Sequence, residues 1–112
     1  MEKIEAIIKP FKMDEVKENL TAIGINGATI TEVRVQGSQK GKPEDYRGST
    51  YWFDFHPMIK LEVVVADQQK GDAIAAILRV ANTGKPGNGK IFVLPIDEAI
   101  RIRTEEHGVN AV

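Results

Sequence analysis

The clearest β-strand in the chain reads Met58-Ile59-Lys60-Leu61-Glu62-Val63-Val64-Val65-Ala66. Successive side chains of a strand point to opposite sides, so residues two apart share a face. One face is therefore wholly apolar and consists of Ile59, Leu61, Val63 and Val65. The other face mixes the charged residues Lys60 and Glu62 with apolar Val64. This pattern predicts a strand over 58–66 that is buried on one face and half-polar on the other.

Three further strands are predicted around it. Residues 3–9 are dense in isoleucine and alanine, which favours a buried strand. Residues 27–36 are β-branched, and a slip in their apolar phase between Ile30 and Val33 indicates a bulge. Residues 91–94 are apolar and end at a proline, which cannot continue a ladder. Together with 58–66 these segments predict a four-stranded sheet.

Two helices are predicted between the strands. The first carries apolar residues at three- and four-residue spacing, namely Met13, Val16, Leu20 and Ile23. The second carries a similar stripe of Ile74, Ile77, Leu78 and Ala81. Asp67 stands where a side chain can cap the second helix.

The resulting order is strand, helix, strand, long loop, strand, helix, strand. This is the α+β, ferredoxin-like βαββαβ pattern, with the long loop between the second and third strands. Both helices cover one face of such a sheet and leave the other face open. Because that face is partly apolar, we expect self-association to cover it.

Composition restricts the class of function. The chain has 112 residues, enough for one domain, and its 42% hydrophobic and 28% charged residues are typical of a soluble globular protein. A formal net charge of −1 provides no positive field for nucleic acid, and the lack of cysteine excludes disulfides, thiolate catalysis and Cys-based zinc sites. The longest apolar run, Val63 to Ala66, is too short to cross a bilayer, and no signal-peptide pattern opens the chain. We expect a cytoplasmic protein that is not membrane-embedded and binds no nucleic acid.

Residues 37–57 lose all periodicity, and a loop of this length is usually functional or disordered. Its second half, Tyr51-Trp52-Phe53-Asp54-Phe55, is aromatic and is able to rejoin the sheet. The carboxamide of Gln39 can ligate Mg²⁺ beside phosphate oxygens, although a lone loop glutamine is more often only solvated. Ser49 and Tyr51 offer hydroxyls to a modifying enzyme, although each is more often an unmodified loop residue.

The segment Gly84-Lys85-Pro86-Gly87-Asn88-Gly89-Lys90 combines three glycines with two lysines. Glycines let backbone N–H groups approach an anion, and the lysines add positive charge. The segment contains the letters G-x-x-x-x-G-K, but Ile91 replaces the Ser/Thr of that motif and the segment joins helix to strand, so the Walker A interpretation fails. A phosphate-binding loop of another kind and a helix C-cap followed by a flexible turn both remain open.

Arg101 and Arg103 stand two apart in a tail that alternates apolar and basic residues. On an extended segment they would project to the same side and grip a phosphate or carboxylate. A solvated edge strand or a salt bridge between subunits fits equally well. No catalytic set accompanies them, because His56 and His107 are far apart and neither has an evident acid–base partner. We therefore predict that the protein is not an enzyme.

Four segments resemble, in order, the PII nitrogen-regulatory family, and together they span the chain. They are Lys3-Ile4-Glu5-Ala6-Ile7-Ile8-Lys9-Pro10-Phe11-Lys12, Tyr46-Arg47-Gly48-Ser49-Thr50-Tyr51, Thr83-Gly84-Lys85-Pro86-Gly87-Asn88-Gly89-Lys90-Ile91-Phe92-Val93 and Arg101-Ile102-Arg103-Thr104. They look like the first strand, the long effector loop or T-loop, the signature with the B-loop, and the tail of that family. The resemblance implies one domain over 1–112, with the T-loop at about 37–55, the B-loop at about 82–90 and the C-terminal segment at about 98–112.

The resemblance also implies a homotrimer that binds ATP or ADP in clefts between subunits. The nucleotide-binding positions that it implies are Thr29, Gly37, Gln39, Val64, Gly87, Asn88, Gly89, Lys90, Arg101 and Arg103. Thr29 and Val64 stand where the family holds the adenine, and Gly37 stands near the phosphates. The resemblance implies that Gly87, Gly89 and Lys90 of one subunit and the two arginines of its neighbour contact the phosphates.

Two departures from the family pattern concern the ligand. In members that sense 2-oxoglutarate, the position of Gln39 helps to ligate Mg²⁺ between ATP and 2-oxoglutarate. Met58 stands where those members carry a lysine that pairs with the distal carboxylate of that ligand. Loss of such a contact costs about 1.5–3 kcal/mol, or roughly tenfold to a hundredfold in affinity, which argues against 2-oxoglutarate. Ser38 replaces an arginine that many members carry near the terminal phosphate.

The function implied is signal transduction in nitrogen and carbon metabolism. The T-loop would regulate a transporter or a metabolic enzyme, with an ammonium transporter as the commonest family partner. Tyr51 occupies the uridylylated position of some members and Ser49 the phosphorylated position of others. The nearest alternative is a PII-like adenylate sensor that ignores 2-oxoglutarate and serves a different transporter. Two alternatives come from other classes. A ferredoxin-like RNA-binding module would need aromatic residues on the central strands, where this chain has Lys60, Glu62 and Val64. A small enzyme that uses the cleft between subunits would show steady turnover of ATP.

Overall fold

The structure is a computed structural model, and it describes residues 1–36, 43–46, 49–52 and 55–112, with side chains described in 1–36 and 55–112. The strands are β1 (Glu2–Ile8), β2 (Thr29–Gln36), β3 (Pro43–Tyr46), β4 (Ser49–Trp52), β5 (Phe55–Val65) and β6 (Lys90–Pro95). The helices are α1 (Met13–Ala22) and α2 (Lys70–Ala81). Short 3-10 helices cover Pro10–Lys12, Asp67–Gln69 and Gly108–Ala111.

The main sheet is antiparallel and has the strand order β2-β5-β1-β6. Within the described residues, β3 and β4 pair with each other and form a separate two-stranded hairpin. With α1 and α2 inserted after β1 and β5, the order matches the predicted ferredoxin-like pattern. The α+β prediction is therefore confirmed.

The core lies between the sheet and the two helices. Its fully buried members include Ile4, Ala6, Ile8, Val16, Leu20, Leu61, Val65, Ala73 and Ile77. Burial of a large aliphatic side chain stabilises the fold by about 1.5–3 kcal/mol relative to leaving it in water. The apolar face predicted for the central strand therefore meets the helices, and its mixed face is the open side of the sheet.

The predicted bulge in the second strand is absent from the described residues. β2 and β5 pair without interruption from Thr29 opposite Glu62 to Gln36 opposite Phe55. Since alternate residues face opposite sides, Ile30 and Val33 simply lie on different faces of the sheet. β2 is an edge strand with apolar residues on both faces, and this arrangement mimics a phase slip.

The start of the third core strand was also predicted wrongly. β5 begins at Phe55, which pairs with Gln36, and not at Met58. Pro57 is tolerated there because β1 pairs with β5 only from Ile59 onward, so the missing N–H has no neighbour on that side. Of the aromatic segment that was able to rejoin the sheet, Phe55 does so in β5, whereas Tyr51 and Trp52 lie in β4.

Asp67 does not cap α2. Its Oδ1 accepts a hydrogen bond from the Met1 α-amino group at 2.8 Å, and this bond lowers the pKa of the Asp67 carboxyl. The Ala66 backbone N–H instead donates to Oε1 of Gln69 at 3.1 Å. The cationic amino group competes successfully for the carboxylate because the charged hydrogen bond is the stronger one.

Candidate functional site

A cleft of about 860 Å³ opens where the start of β2, the end of β5 and the C-terminal segment meet. Three of the predicted nucleotide-binding residues line it, namely Thr29, Val64 and Arg101. Val109 and Ala111 of the C-terminal segment add apolar surface to the same cleft. We call this region the C-terminal cleft. It offers a hydroxyl, aliphatic side chains and a guanidinium within one cavity.

Glu62 supplies an ionised carboxylate to the C-terminal cleft. The Lys3 ammonium lies 3.1 Å from Oε2 of Glu62 and 3.1 Å from Oε1 of Glu5, and the Lys60 ammonium lies 3.5 Å from Oε1 of Glu62. The hydrogen bond from Lys3 lowers the pKa of Glu62 despite opposing partial burial. Hydrogen bonds to Glu5 and Glu62 in turn raise the pKa of Lys3. Glu62 is therefore a hydrogen-bond acceptor held in place by two lysines.

The segment with the two arginines is not extended. The Arg101 N–H donates to the Glu106 carbonyl at 2.9 Å, and the Glu105 N–H donates to the Arg101 carbonyl at 2.8 Å. Residues 102–104 form the turn between them. Arg101 therefore lines the C-terminal cleft, whereas Arg103 is exposed and lies outside the cleft lining. The expectation that both side chains project to one side of an extended strand was wrong, because backbone hydrogen bonds close a turn here.

The C-terminal turn is held by further pairs. One guanidinium nitrogen of Arg101 lies 3.3 Å from Oε1 of Glu106. The Nδ1 of His107 lies 2.8 Å from Oε1 of Glu98, and the Gly108 N–H donates to the Ala99 carbonyl at 2.9 Å. We call residues 98–108 the C-terminal turn. Its shape depends on both backbone and side-chain contacts.

The glycine-rich loop, residues 82–89, connects α2 to β6. Gly84, Gly87 and Gly89 all have positive φ values, of 75°, 85° and 100°. Asn88 stabilises the loop from within, because its Oδ1 accepts a hydrogen bond from the Thr83 hydroxyl at 2.6 Å. Successive glycines in such conformations can turn backbone N–H groups toward an anion.

Gly89 cannot be replaced without moving the backbone. A Cβ at this position would overlap the carbonyl oxygen of Ile7, and it would also lie 3.4 Å from the methyl group of Met58. Met58 itself is only 7% exposed, so its thioether fills the space next to the loop. The Lys9 ammonium lies 3.9 Å from the position that a Cβ of Gly87 would occupy.

Within one chain, six of the eight predicted nucleotide-binding residues that the structure describes line two separate pockets, and Gly87 and Arg103 line neither. Asn88, Gly89 and Lys90 line a second pocket of about 440 Å³ between α2, β1 and β6, and this pocket shares no lining residue with the C-terminal cleft. Gly37 and Gln39 lie outside the described residues, and so do the side chains of Ser49 and Tyr51. No cluster of metal-binding side chains occurs among the residues that the structure describes.

Sequence reasoning gave no role to three residues that the structure places here: Lys9, Glu62 and Glu106. Glu62 lies on β5, where the alternation of the strand was enough to place it on the mixed face, whereas Lys9 follows the end of β1. Glu106 carries no local signal, because its pairing with Arg101 depends on the turn. None of the described helices is long and apolar enough to cross a membrane.

Comparison with known proteins decides the family. Residues 1–106 match the family model described as Nitrogen regulatory protein P-II. The chain belongs to this family. The P-II proteins of Pasteurella multocida and Haemophilus influenzae are 54% and 57% identical to it over 112 residues, the whole of each chain. These relatives are named as regulatory proteins, which confirms the predicted family and the prediction that the protein is a regulator and not an enzyme.

A solved P-II structure agrees with the fold. The crystal structure of Arabidopsis thaliana PII bound to citrate superposes with a TM-score of 0.80 and is 38% identical in sequence. The match covers 98% of this chain and 87% of the Arabidopsis chain. At this level of identity and coverage, the ferredoxin-like core of the P-II family is shared across nearly the whole protein.

Proposed function

We propose that this P-II protein is a homotrimeric signal transducer that binds ATP or ADP between subunits and regulates a target protein. The division of the predicted site residues into two groups on one chain carries this proposal. A nucleotide that contacts the C-terminal cleft of one subunit and the glycine-rich loop of the next would use both groups. A single chain would then present two half-sites, each completed by a neighbour.

The chemistry of the two half-sites suits the two ends of a nucleotide. In the C-terminal cleft, Val64 offers an aliphatic surface for a base, Thr29 offers a hydroxyl, and ionised Glu62 accepts hydrogen bonds from hydroxyl donors such as those of ribose. The glycine-rich loop offers backbone N–H groups to phosphates, and Lys9 and Lys90 next to the loop offer cations.

The open face of the sheet supports assembly from identical subunits. It carries apolar side chains, including Phe92 and Leu94 at 50% and 38% exposure, beside the lysines and glutamates that surround Glu62. A contact that joins different half-sites on two copies is heterologous, and such contacts form a ring when the rotation between copies closes. A ring of three provides three composite sites.

The target and its control follow from the family. We propose that the T-loop, about residues 37–55, contacts an ammonium transporter, another transporter or a metabolic enzyme in the cytoplasm. Nucleotide exchange would change the population of T-loop conformations that fit this target. Ser49 and Tyr51 are the proposed modification positions, and Gln39 is the proposed Mg²⁺ ligand.

Met58 favours a second candidate, a sensor of adenine nucleotides alone. Its methyl group packs at Gly89, and a buried thioether cannot pair with a carboxylate as an ammonium does. A dicarboxylate such as 2-oxoglutarate would therefore meet the apolar side chain of Met58 at the position where its carboxylate requires a cation. In this version the T-loop responds to the ratio of ATP to ADP.

Calorimetric titration of ATP, and then of 2-oxoglutarate into the protein saturated with Mg²⁺ and ATP, tests both candidates. We expect ATP to bind at one site per chain, and Lys90→Ala or Arg101→Ala to weaken it about tenfold or more. Lys17→Ala, a change at an exposed lysine of α1, is the matched control and should leave binding unchanged. Normal ATP binding by both site variants would refute the composite site, and 2-oxoglutarate binding would exclude the sensor of adenine nucleotides alone.

A further inference from the structure

Glu106 holds the only arginine that lines the described C-terminal cleft. Its Oε1 lies 3.3 Å from a guanidinium nitrogen of Arg101, and both side chains are a little over two-fifths exposed. No other ion pair of Arg101 occurs among the residues that the structure describes. In this state the guanidinium already donates to a carboxylate of its own chain.

A phosphate that enters the C-terminal cleft needs the same donors. Guanidinium groups bind phosphates and carboxylates through the same fork of N–H groups, so the two anions compete for one face of Arg101. We propose that Glu106 is an internal competitor for Arg101, and that an anionic ligand binds by displacing its carboxylate. This inference rests on the proposed nucleotide site.

The backbone explains why the displacement does not require the turn to open. Arg101 and Glu106 are also joined by the hydrogen bond from the Arg101 N–H to the Glu106 carbonyl, and Glu105 donates to the Arg101 carbonyl. The turn therefore stays closed when the side chains separate. Exposed ion pairs are weak, so the competition reduces ligand affinity by a modest factor.

Glu105 provides a matched control in the same turn. It is exposed, carries the same charge, and forms no ion pair within the described part of the chain. Glu105→Gln and Glu106→Gln therefore remove the same charge from adjacent positions. Only the second change frees Arg101.

The experiment is a set of ATP titrations at low salt, with each glutamine variant made in the natural chain and in Arg101→Ala. We expect Glu106→Gln to tighten ATP binding roughly threefold to fivefold, and Glu105→Gln to change it less than about twofold. In the Arg101→Ala background, Glu106→Gln should lose its effect, because the competed side chain is gone. Glu106→Asp, which keeps the carboxylate, should bind ATP more weakly than Glu106→Gln.

Each other outcome has a distinct meaning. If the natural chain binds ATP and Glu106→Gln does not tighten it, the competitor role is wrong and the proposed site stands. An equal gain in the Arg101→Ala background would show a general charge effect and would also overturn the inference. If neither the natural chain nor Glu106→Gln binds ATP, both the inference and the proposed function fail.

Discussion

The glycine-rich loop and the C-terminal turn both carry residues of the proposed nucleotide site, but their shapes have different physical origins. The loop reaches its shape through glycines with positive φ, one of which, Gly89, leaves no room for a Cβ beside the Ile7 carbonyl. The turn contains no glycine at its tight position, and Glu105 adopts a φ of 59° there. Backbone hydrogen bonds close the turn, and its exposed side chains add the ion pair of Arg101 with Glu106 and the contact of His107 with Glu98.

The difference concerns which contacts a ligand can disturb. Steric restrictions on the backbone do not depend on salt, pH or a competing anion. Exposed ion pairs depend on all three. We therefore expect the glycine-rich loop to be a fixed part of the site and the C-terminal cleft to be its adjustable part.

The largest expected effect comes from breaking the loop. Gly89→Ala places a Cβ on the Ile7 carbonyl oxygen and forces alanine to a φ of 100°, so we expect a loss of about 3 kcal/mol or more in the free energy of unfolding. Urea denaturation measures it. Gly71→Ala in α2, where a Cβ meets open space, is the control and should stabilise the protein slightly. Equal stability of the two variants would mean that the loop adjusts freely.

An intermediate effect should appear at Glu62. Its pKa is lowered in the folded protein, so its contribution to stability is complete above the ordinary value of 4.5 and disappears as pH falls through the lower folded value. Glu62→Gln should lower the free energy of unfolding by at most about 1 kcal/mol at pH 7, because the carboxylate is partly exposed. The stability of the variant should also fall less steeply on acidification than that of the natural chain. Thermal melts between pH 7 and pH 3 measure this. Glu18→Gln on α1 is the control. If the melting temperature of Glu62→Gln fell as steeply on acidification as that of the natural chain, the prediction would be contradicted.

The smallest effect is expected at Glu105. Glycine accepts a φ of 59° without strain, so Glu105→Gly should stabilise the protein by up to about 1 kcal/mol, while Glu105→Ala should leave stability nearly unchanged. The rise in melting temperature measures this gain. A loss of stability in Glu105→Gly alone would show that its side chain supports the turn.

Much of the fold could be predicted from periodicity. The alternation of Ile59, Leu61 and Val63 identified the central strand and its buried face, and the spacing of Val16 and Leu20 identified the first helix. These patterns succeed because burial of a face requires apolar residues at the repeat of the element itself. The same reasoning wrongly predicted a bulge in the edge strand β2, since β2 carries apolar residues on both faces.

The candidate site was predicted less completely. The resemblance to P-II proteins pointed to Thr29, Val64 and Arg101, and the structure brings these three residues to one cleft. It did not point to Lys9 beside Gly87 or to Glu106 beside Arg101. Such contacts cannot be predicted from the local sequence, because the path of the backbone determines which side chains meet.

The sequence alone therefore determined the order of the four strands of the main sheet and the two helices, the apolar core, the glycine-rich loop and the family. These properties depend on residue type and on spacing along the chain. Only the tertiary structure decided that the loop and the C-terminal cleft lie apart on one chain, and that Arg101 is held by Glu106. Such relations arise from the packing of segments distant in sequence and from the closure of a turn, which no repeat along the chain encodes.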